Sequence, residues 1–462
     1  MPGPASRASA DVGPQPIGAL RAVRARRALV GDALVAATLL LRDGTIAAIE
    51  AFDHPLPGSG HDVLAVPDSA VLLPGVVDTH VHVNEPGRTA WEGFATATTA
   101  AALGGVTTLV DMPLNSIPPT TTVAGLETKR AAAAGQLAVD VGFWGGAVPG
   151  NVGDLAPLHE QRVFGFKCFL APSGVDEFPP LEPTQLREHL AEIARLDALM
   201  IVHAEDARVL DEAPAASSRA YADFLLSRPD AAETAAIRQV LDGAREMGAR
   251  VHVLHLSSAR ALDDLAEARA EGLPVTVETC PHYLCFDAAG IPDASPQYKC
   301  CPPIRDAGNR DALWQGLLEG IVDVVVTDHS PATAEEKERG RGDLQQAWGG
   351  IAGLQVGFTA VAAEAARRGI GIEHVGRWMC RSTADLVGLG TKGRIEVGAA
   401  ADLLVLDTAV PLRVEAARLA HKNPISAYDG QQYDASVTAT VLGGVLVDRA
   451  SPDLGAGRML RR

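Results

Sequence analysis

Six polar residues lie within or directly after apolar, strand-like runs, and their side chains are of the kinds that bind metal ions. Four are histidines, one is an aspartate and one is a lysine: His80, His82, Lys167, His203, His255 and Asp328. Imidazole and carboxylate groups suit zinc, with manganese, cobalt or iron as substitutes. A single strand-end histidine is more often a hydrogen-bonded structural residue. The six together predict a metal site.

The motif "DTHVH" is the most informative part of this set. Because side chains alternate along a strand, His80 and His82 face the same side and can reach one ion. His252 stands an odd number of positions from His255, which predicts that its side chain faces outward or packs and does not bind metal. His282 and the histidine after Asp328 are interpreted as supporting or loop residues.

Lys167 lies in the apolar run "VFGFKCFL". A buried ammonium group there would lose several kcal/mol of hydration unless it were paired or neutral. Burial lowers the pKa of a lysine and leaves a nucleophilic neutral amine. Such an amine can add carbon dioxide, and the resulting carbamate has two anionic oxygens that can bridge two metal ions. The alternative is an ordinary ion pair with a buried aspartate or glutamate.

Eight apolar runs alternate with helical patterns across roughly residues 71–385. The runs are "VLLPGVVDTHVHV", "GGVTTLVDMP", "LAVDVGFWGG", "VFGFKCFL", "ALMIVHAED", "RVHVLHLSS", "PVTVETCPHYL" and "VDVVVTDHSP". This alternation predicts an α/β fold with a (β/α)₈ barrel, which typically needs about 250 residues. The carboxyl ends of all eight strands then meet at one mouth, which makes the six polar residues neighbours. A doubly wound open sheet is disfavoured because no glycine-rich phosphate fingerprint follows the first strand.

Both ends of the chain have short β-rich runs separated by turn residues. Residues 18–70 include a hairpin that turns at Asp43-Gly44, and residues 386–450 include "ADLLVLDT" and "VTATVLGGVLVD". We predict one small β-sandwich domain built from both ends, around the barrel of residues 71–385. Residues 1–17 lack the apolar segment of a signal peptide and are predicted to be a disordered tail.

Composition excludes several classes of partner. The 462-residue chain has a formal net charge of −17, which argues against binding to a nucleic-acid backbone or to anionic lipid. Its six cysteines form no CxxC pair, which predicts a reduced, cytoplasmic protein. The sequence has no run of about 18 consecutive apolar residues, so no membrane span is predicted.

Several motifs resemble the amidohydrolase superfamily, in its branch of dihydroorotases, hydantoinases and allantoinases. The similarity extends over nearly the whole chain and is greatest to allantoinases in "GVVDTHVHVNEPGRTAWEGF", "DMPLNSIPPT", "GFKCFL", "VHAED", "CPHYL", "TDHSP" and "AWGGIAGLQ". The resemblance implies a binuclear centre of two divalent metal ions, and Zn²⁺ is the expected ion. In it the two histidines of "HVH" and Asp328 hold one ion, His203 and His255 hold the other, and carboxylated Lys167 bridges them.

Two departures distinguish the chain from its relatives. Asn84 stands at the position where dihydroorotases usually have an arginine that binds the substrate carboxylate. Pro172 stands at the position where hydantoinases have a tyrosine. The resemblance therefore implies allantoin as the small-molecule substrate, with (S)-allantoin opened to allantoate. Asn84, Cys301 and Gly350 are the implied substrate contacts.

The resemblance also implies a mechanism and an assembly. A hydroxide bridging the two metals attacks the ring carbonyl, and Asp328 acts as general base and then as general acid. The assembly implied is a homotetramer. One alternative is a hydantoinase or dihydropyrimidinase that acts on other cyclic ureides. Another is a non-catalytic scaffold, which is disfavoured because all six ligands are present.

Overall fold

The computed structural model describes residues 18–56 and 62–462, so the predicted tail of residues 1–17 lies outside the described residues. The strands of these ranges are, in chain order, β1 (Ala22–Val30), β2 (Ala33–Arg42), β3 (Thr45–Ala51), β4 (Val63–Ala65), β5 (Ala70–Pro74), β6 (Val76–Val81), β7 (Val106–Asp111), β8 (Asp140–Phe143), β9 (Gly145–Gly146), β10 (Phe166–Phe169), β11 (Leu199–His203), β12 (Arg250–Val253), β13 (Val275–Thr279), β14 (Val324–Val325), β15 (Leu403–Asp407), β16 (Leu412–Arg413), β17 (Gln432–Tyr433), β18 (Ser436–Leu442) and β19 (Val445–Leu446). The α-helices are α1 (Phe94–Leu103), α2 (Val123–Ala133), α3 (Val152–Glu160), α4 (Pro183–Arg195), α5 (Ala207–Glu212), α6 (Tyr221–Leu226), α7 (Asp230–Met247), α8 (Leu262–Ala270), α9 (Pro281–Cys285), α10 (Ala307–Leu318), α11 (Ala334–Lys337), α12 (Gly357–Arg367), α13 (Ile372–Gly376) and α14 (Ser382–Leu386).

The central strands form the predicted (β/α)₈ barrel. Strands β6, β7 and β8 pair in parallel, and so do β9 to β14 in sequence order. The short strands β8 and β9 together occupy one of the eight positions, and a backbone bond from Phe164 to Phe143 links them to the next strand. A parallel bridge between Val81 and His329 closes the ring. The near-continuous burial of these strands is typical of parallel sheets covered by helices.

The two ends of the chain meet in one eight-stranded sheet of order β19-β18-β15-β5-β1-β2-β3, with β4 paired to β1. This sheet makes up the predicted small β domain and has its own apolar cluster, which includes Val23, Leu39 and Leu403. The predicted hairpin turns at Asp43 and Gly44, whose φ angles of 50° and 74° suit a type I′ turn.

The run "VLLPGVVDTHVHV" is not one strand, as the sequence predicted, but two. Strand β5 pairs with β15 in the small sheet, whereas β6 belongs to the barrel. Gly75 separates them, and a Cβ at Gly75 would lie 2.2 Å from Thr107 Oγ1. The chain therefore passes from one sheet to the other at a point where a side chain does not fit.

Helix α4 illustrates how local sequence fixes the outer layer of the barrel. It starts with a proline in its first turn and a reciprocal capping box between Glu182 and Gln185. Leu186, Leu190 and Ile193 recur at helical spacing and are buried against the barrel. No helix within residues 18–56 and 62–462 is long and apolar enough to cross a membrane.

Gly165 offers a test of the close approach between β10 and β11. A Cβ at this position would lie 2.5 Å from Leu199 O, so we expect Gly165→Ala to force the strands apart and destabilise the protein by about 1–3 kcal/mol. Gly153 in α3 has open space around it, and Gly153→Ala is the matched control with unchanged or slightly higher stability. Urea unfolding of both variants measures the difference; equal stabilities would contradict the packing argument.

Candidate metal centre and active-site cavity

A cavity of about 350 Å³ opens at the carboxyl ends of the barrel strands. Its volume lies within the range that holds small organic ligands. All six of the predicted metal-binding residues line it: His80, His82, Lys167, His203, His255 and Asp328. Residues separated by up to 248 positions in the sequence therefore meet because the strand ends converge.

One part of the cavity floor brings His80, His82 and Asp328 together. The Nε2 atoms of the two histidines lie 3.1 Å and 3.4 Å from the same oxygen, Asp328 Oδ1. Ligands on a tetrahedral zinc ion with bonds of about 2.0–2.1 Å are separated by about 3.3 Å. The donor spacing of this group therefore fits a divalent metal ion.

The protonation pattern of His80 also fits a cation. Its Nδ1 lies 2.5 Å from Glu278 Oε1, and a carboxylate oxygen accepts hydrogen bonds, so the proton is on Nδ1. The lone pair of Nε2 then faces the carboxylate of Asp328, an unfavourable arrangement unless a second proton or a metal ion lies between them. Burial opposes ionisation of Asp328, but the neighbouring histidines hold the pKa of that carboxyl well below its usual range.

His203 and His255 form the second part of the floor. His203 Nδ1 lies 2.9 Å from His255 Nε2, while the other ring nitrogen of His255 is buried and has no partner among the described residues. Burial lowers the pKa of both imidazoles, which favours the neutral form that binds metal. The ring of Phe169 stacks on His203 with centroids 4.5 Å apart and limits its rotation.

Lys167 lies between the two parts and is only 1% exposed. Its Nζ is 3.3 Å from His80 Nε2, and among the described residues no carboxylate forms an ion pair with it. Burial lowers the pKa of Lys167 to about 8, against the opposing charges of Asp328 and Glu278. The ion pair considered from the sequence is therefore not formed, and a substantial fraction of the amine is neutral near pH 8.

Glu278 on β13 is a supporting residue that the sequence analysis did not identify. It is 1% exposed and accepts hydrogen bonds from the His80 ring, from the His252 ring at 3.0 Å and from the backbone N–H of His255 at 3.1 Å. His252 thus lies inside the barrel, not on its outer side, and donates to Glu278. The signal available was a glutamate in the apolar run "VTVETC", which is as unusual as Lys167 in its own strand.

Glu205 has an equivalent position beside the other pair of histidines. Its Oε2 accepts from His203 Nε2 at 2.8 Å, and the guanidinium of Arg228 donates to the same oxygen. Burial opposes ionisation of Glu205, yet Arg228 and His203 hold its pKa well below the usual range. Each half of the floor therefore has a buried carboxylate behind one histidine.

The predicted substrate contacts differ in position. Cys301 and Gly350 line the cavity, and so does Pro172, which carries no hydroxyl group. Asn84 does not: it is 1% exposed, and its amide nitrogen donates to Pro331 O at 3.4 Å. The substrate contact of Asn84 therefore stays a prediction, and in the structure its amide contacts the loop after β14.

The two remaining histidines near the site are buried. His329 Nδ1 accepts the backbone N–H groups of Gly353 and Leu354, and its other ring nitrogen lies 3.3 Å from Glu92 Oε2. His282 lies near Asp328, and neither of its ring nitrogens has a partner among the described residues. Both residues flank the floor without lining the cavity, consistent with a supporting position.

The segment of residues 331–350 forms one wall of the cavity and is fastened by two buried lysines. Lys299 Nζ donates to Gln345 O and Ala347 O, and Lys337 Nζ donates to Trp348 O and Gly350 O. The Trp348 side chain lines the cavity. These contacts were not predictable from the sequence, because hydrogen bonds from lysines to loop carbonyl groups leave no periodic pattern.

Comparison with known proteins is consistent with this geometry. The model of the amidohydrolase family matches residues 71–447. The chain is 53% identical to the allantoinase of Streptomyces avermitilis over 91% of this chain and 94% of that protein. It is 47% identical to the allantoinase of Saccharomyces cerevisiae over 81% and 82% of the two chains.

Solved structures give the same result for the fold. The L-hydantoinase (dihydropyrimidinase) of Arthrobacter aurescens superposes with a TM-score of 0.90 at 30% identity, covering 96% of this chain and 100% of that chain. The dihydropyrimidinase of Brevibacillus agri superposes with a TM-score of 0.86 at 27% identity, covering 96% and 98%. The chain belongs to the amidohydrolase family, in the branch that contains the allantoinases.

Proposed function

We propose that this protein hydrolyses the ring amide of allantoin and releases allantoate. It is a hydrolase of C–N bonds in cyclic amides, and its substrate is a small molecule. The observation that carries this proposal is the convergence of six side chains of metal-binding type on one cavity of about 350 Å³. The choice of allantoin is supported by 53% identity to an allantoinase over 94% of that protein's length.

The enzyme binds divalent metal, and we propose two zinc ions bridged by a carbamate on Lys167. The ions would be held by His80, His82 and Asp328 on one side and by the other two histidines of the floor on the second. Support for zinc comes from the predominance of imidazole nitrogen among the donors. Support for the carbamate comes from the burial of Lys167, its lowered pKa and the absence of an ion-pair partner among the described residues.

Bound zinc supplies a Lewis acid and lowers the pKa of coordinated water to about 7. The chain's own residues then position the reactants and move protons. Asp328 Oδ1 is directed at the histidines and also accepts the Ser330 hydroxyl, whereas Oδ2 makes no hydrogen bond within the described residues. We assign Oδ2 as the atom that accepts the proton of the attacking water and delivers it to the leaving ring nitrogen.

Backbone groups of the cavity wall are proposed to orient the ring. Cys301 and Gly350 line the cavity beside Asp328, and Gly350 is placed there with a φ of +113°. A Cβ at Gly350 would meet Ser330 O at 2.3 Å, so this close approach needs glycine. Trp348 and Phe169 add apolar surface that excludes water from the floor.

The second candidate is hydrolysis of other cyclic ureides, favoured by the TM-score of 0.90 to an L-hydantoinase (dihydropyrimidinase). We expect kcat/KM for allantoin to exceed that for 5-methylhydantoin and dihydrouracil by at least about 100-fold, equal to about 2.7 kcal/mol of transition-state binding. Ring opening of the three compounds by one zinc-loaded preparation measures this ratio. Preferred turnover of either competitor would contradict the allantoin assignment and support the second candidate.

We also propose a homotetramer in the cytoplasm, with residues 18–70 and 386–450 as the small domain and residues 71–385 as the catalytic barrel. The compartment is supported by the six cysteines, all of which are free thiols in the described ranges. The domain division is supported by the pairing of strands from both chain ends in one sheet. The tetramer rests on the family resemblance alone, and light scattering of the purified protein tests it.

A further inference from the structure

The two buried carboxylates behind the histidines contact different halves of the cavity floor. Glu278 Oε1 lies 2.5 Å from His80 Nδ1, and Glu205 Oε2 lies 2.8 Å from His203 Nε2. In both pairs the contacted nitrogen is the one directed away from the other floor residues. A carboxylate only accepts hydrogen bonds, so in both imidazoles it places the proton on the outer nitrogen and leaves the inner lone pair free.

We propose that Glu278 and Glu205 are positioning residues that set the two metal positions separately. Glu278 acts on the position formed by His80, His82 and Asp328, and Glu205 acts on the position that includes His203. The inference rests on the proposed function, because it requires the two metal positions. It goes further in assigning to each position its own control residue.

The surroundings of Glu278 show that its carboxylate is held in place. Thr276 Oγ1 lies 2.8 Å from His252 Nδ1, and His252 Nε2 lies 3.0 Å from Glu278 Oε2. Because Nε2 donates to the carboxylate, Nδ1 accepts from the threonine hydroxyl. Thr276 therefore donates to His252, and His252 and His80 both donate to Glu278, so the hydrogen bonds of this chain converge on the carboxylate.

A third bond ties Glu278 to the opposite half of the floor. Its Oε1 accepts the backbone N–H of His255, whose φ is +35°, a conformation that L residues rarely adopt. This hydrogen bond fixes the His255 backbone, whereas the His255 side chain makes no hydrogen bond with Glu278. Substitution of Glu278 by glutamine keeps an oxygen for both Oε1 contacts and removes the charge.

Glu205 is held in a different way. The guanidinium of Arg228 donates to Glu205 Oε2, and Arg228 itself lines the cavity. The carboxylate that contacts His203 is therefore held by an ion pair with a residue that lines the cavity. The carboxylate that contacts His80 is held by hydrogen bonds inside the barrel. We expect the two metal positions to respond to different substitutions.

The test is zinc binding by equilibrium dialysis at buffered free zinc, read as zinc per chain by mass spectrometry. We expect Glu278→Gln to weaken one of two zinc positions by about 10–100-fold and to leave the other unchanged. Glu205→Gln should weaken the other one by a similar factor. Glu278→Gln is expected to fold, because His252 can take the opposite tautomer, accepting from the glutamine amide and donating to Thr276.

The position affected is identified in the His82→Ala background, which lacks one ligand of the first position. There Glu278→Gln should add little further loss of zinc, whereas Glu205→Gln should still weaken the remaining ion. Glu233→Gln is the matched control: Glu233 is 2% exposed and bonds Arg305 and two serine N–H groups but no imidazole. It should keep both affinities.

One result would overturn the inference while leaving the proposed function intact. In it the wild type binds two zinc ions, and the Glu278→Gln variant binds both with unchanged affinities. Equal weakening of both positions by either glutamate substitution would also overturn it, because the control would not be separate. A wild-type protein that binds no zinc would overturn the proposed function and the inference together. The His252→Gln variant, which keeps the Glu278 to His80 bond, should weaken zinc less than Glu278→Gln.

Discussion

Replacing Lys167 with alanine should reduce kcat for allantoin by at least about a thousandfold, equivalent to about 4 kcal/mol, together with loss of bound metal. The lysine lies at 1% exposure between the two pairs of histidines, and among the described residues no carboxylate forms an ion pair with it. Without the proposed carbamate, the two proposed cations would lose the anion between them. Zinc content and turnover of the same purified preparation measure both effects.

Small carboxylates should partly restore turnover in Lys167→Ala, because acetate can occupy the vacated volume and supply a bridging anion. Lys392→Ala is the matched control: Lys392 is a buried lysine, but it pairs with Asp140 and Asp402 at 2.8 Å and 2.5 Å. Its loss should lower the free energy of unfolding and leave zinc content unchanged. A Lys167→Ala protein with two zinc ions and normal turnover would contradict the bridging role.

The second large effect is expected for Asp328→Asn. An amide keeps the shape of the carboxylate but cannot accept the proton of the attacking water, so we expect kcat to fall by about a thousandfold or more with a smaller change in KM. Measurement at saturating zinc separates this loss from any loss of the ion that Asp328 helps to hold. Steady-state kinetics with zinc content determined on the same sample gives the result.

Ser330→Ala provides the graded comparison for that variant. It removes one hydroxyl that donates to Asp328 Oδ1 at 3.0 Å but leaves Oδ2 and both histidines in place. We expect a loss in kcat of about tenfold or less, because one supporting hydrogen bond contributes about 1 kcal/mol. Equal losses in the two variants would show that Asp328 acts through its position alone and not through proton transfer.

The barrel was predictable because its strands are continuous apolar runs that end in polar residues. His80, His203, His255 and Asp328 could be grouped from the sequence since parallel strands in a barrel share one mouth. The division of the first run at Gly75 was not predictable, because both halves are equally apolar and only the contact with Thr107 excludes a side chain. Hydrophobic pattern gives burial, but it does not specify which of two sheets a strand joins.

Candidate site residues were predictable where the residue type itself is unusual for its strand. They were less predictable where the role depends on a contact with another residue. Lys167 stands out because it is a lysine within an apolar strand. Glu278 acquires its role from His80 on a distant strand, and Glu205, on the loop after β11, acquires its role by contacting His203 at the end of that strand. Asn84 is a different case: its position after "HVHV" suggested substrate binding, and in the structure its amide donates to Pro331 O. Side-chain direction beyond a strand end depends on loop conformation, which periodicity does not encode.

The central claim is that six side chains from the ends of five barrel strands form a binuclear metal centre. The most direct measurement is the molar ratio of zinc to chain in wild-type protein, determined by mass spectrometry after dialysis at buffered free zinc and carbon dioxide. The account predicts two zinc ions per chain, decreasing when His82 or His203 is replaced by alanine. A ratio near zero, or a ratio of two that persists in both variants, would contradict it.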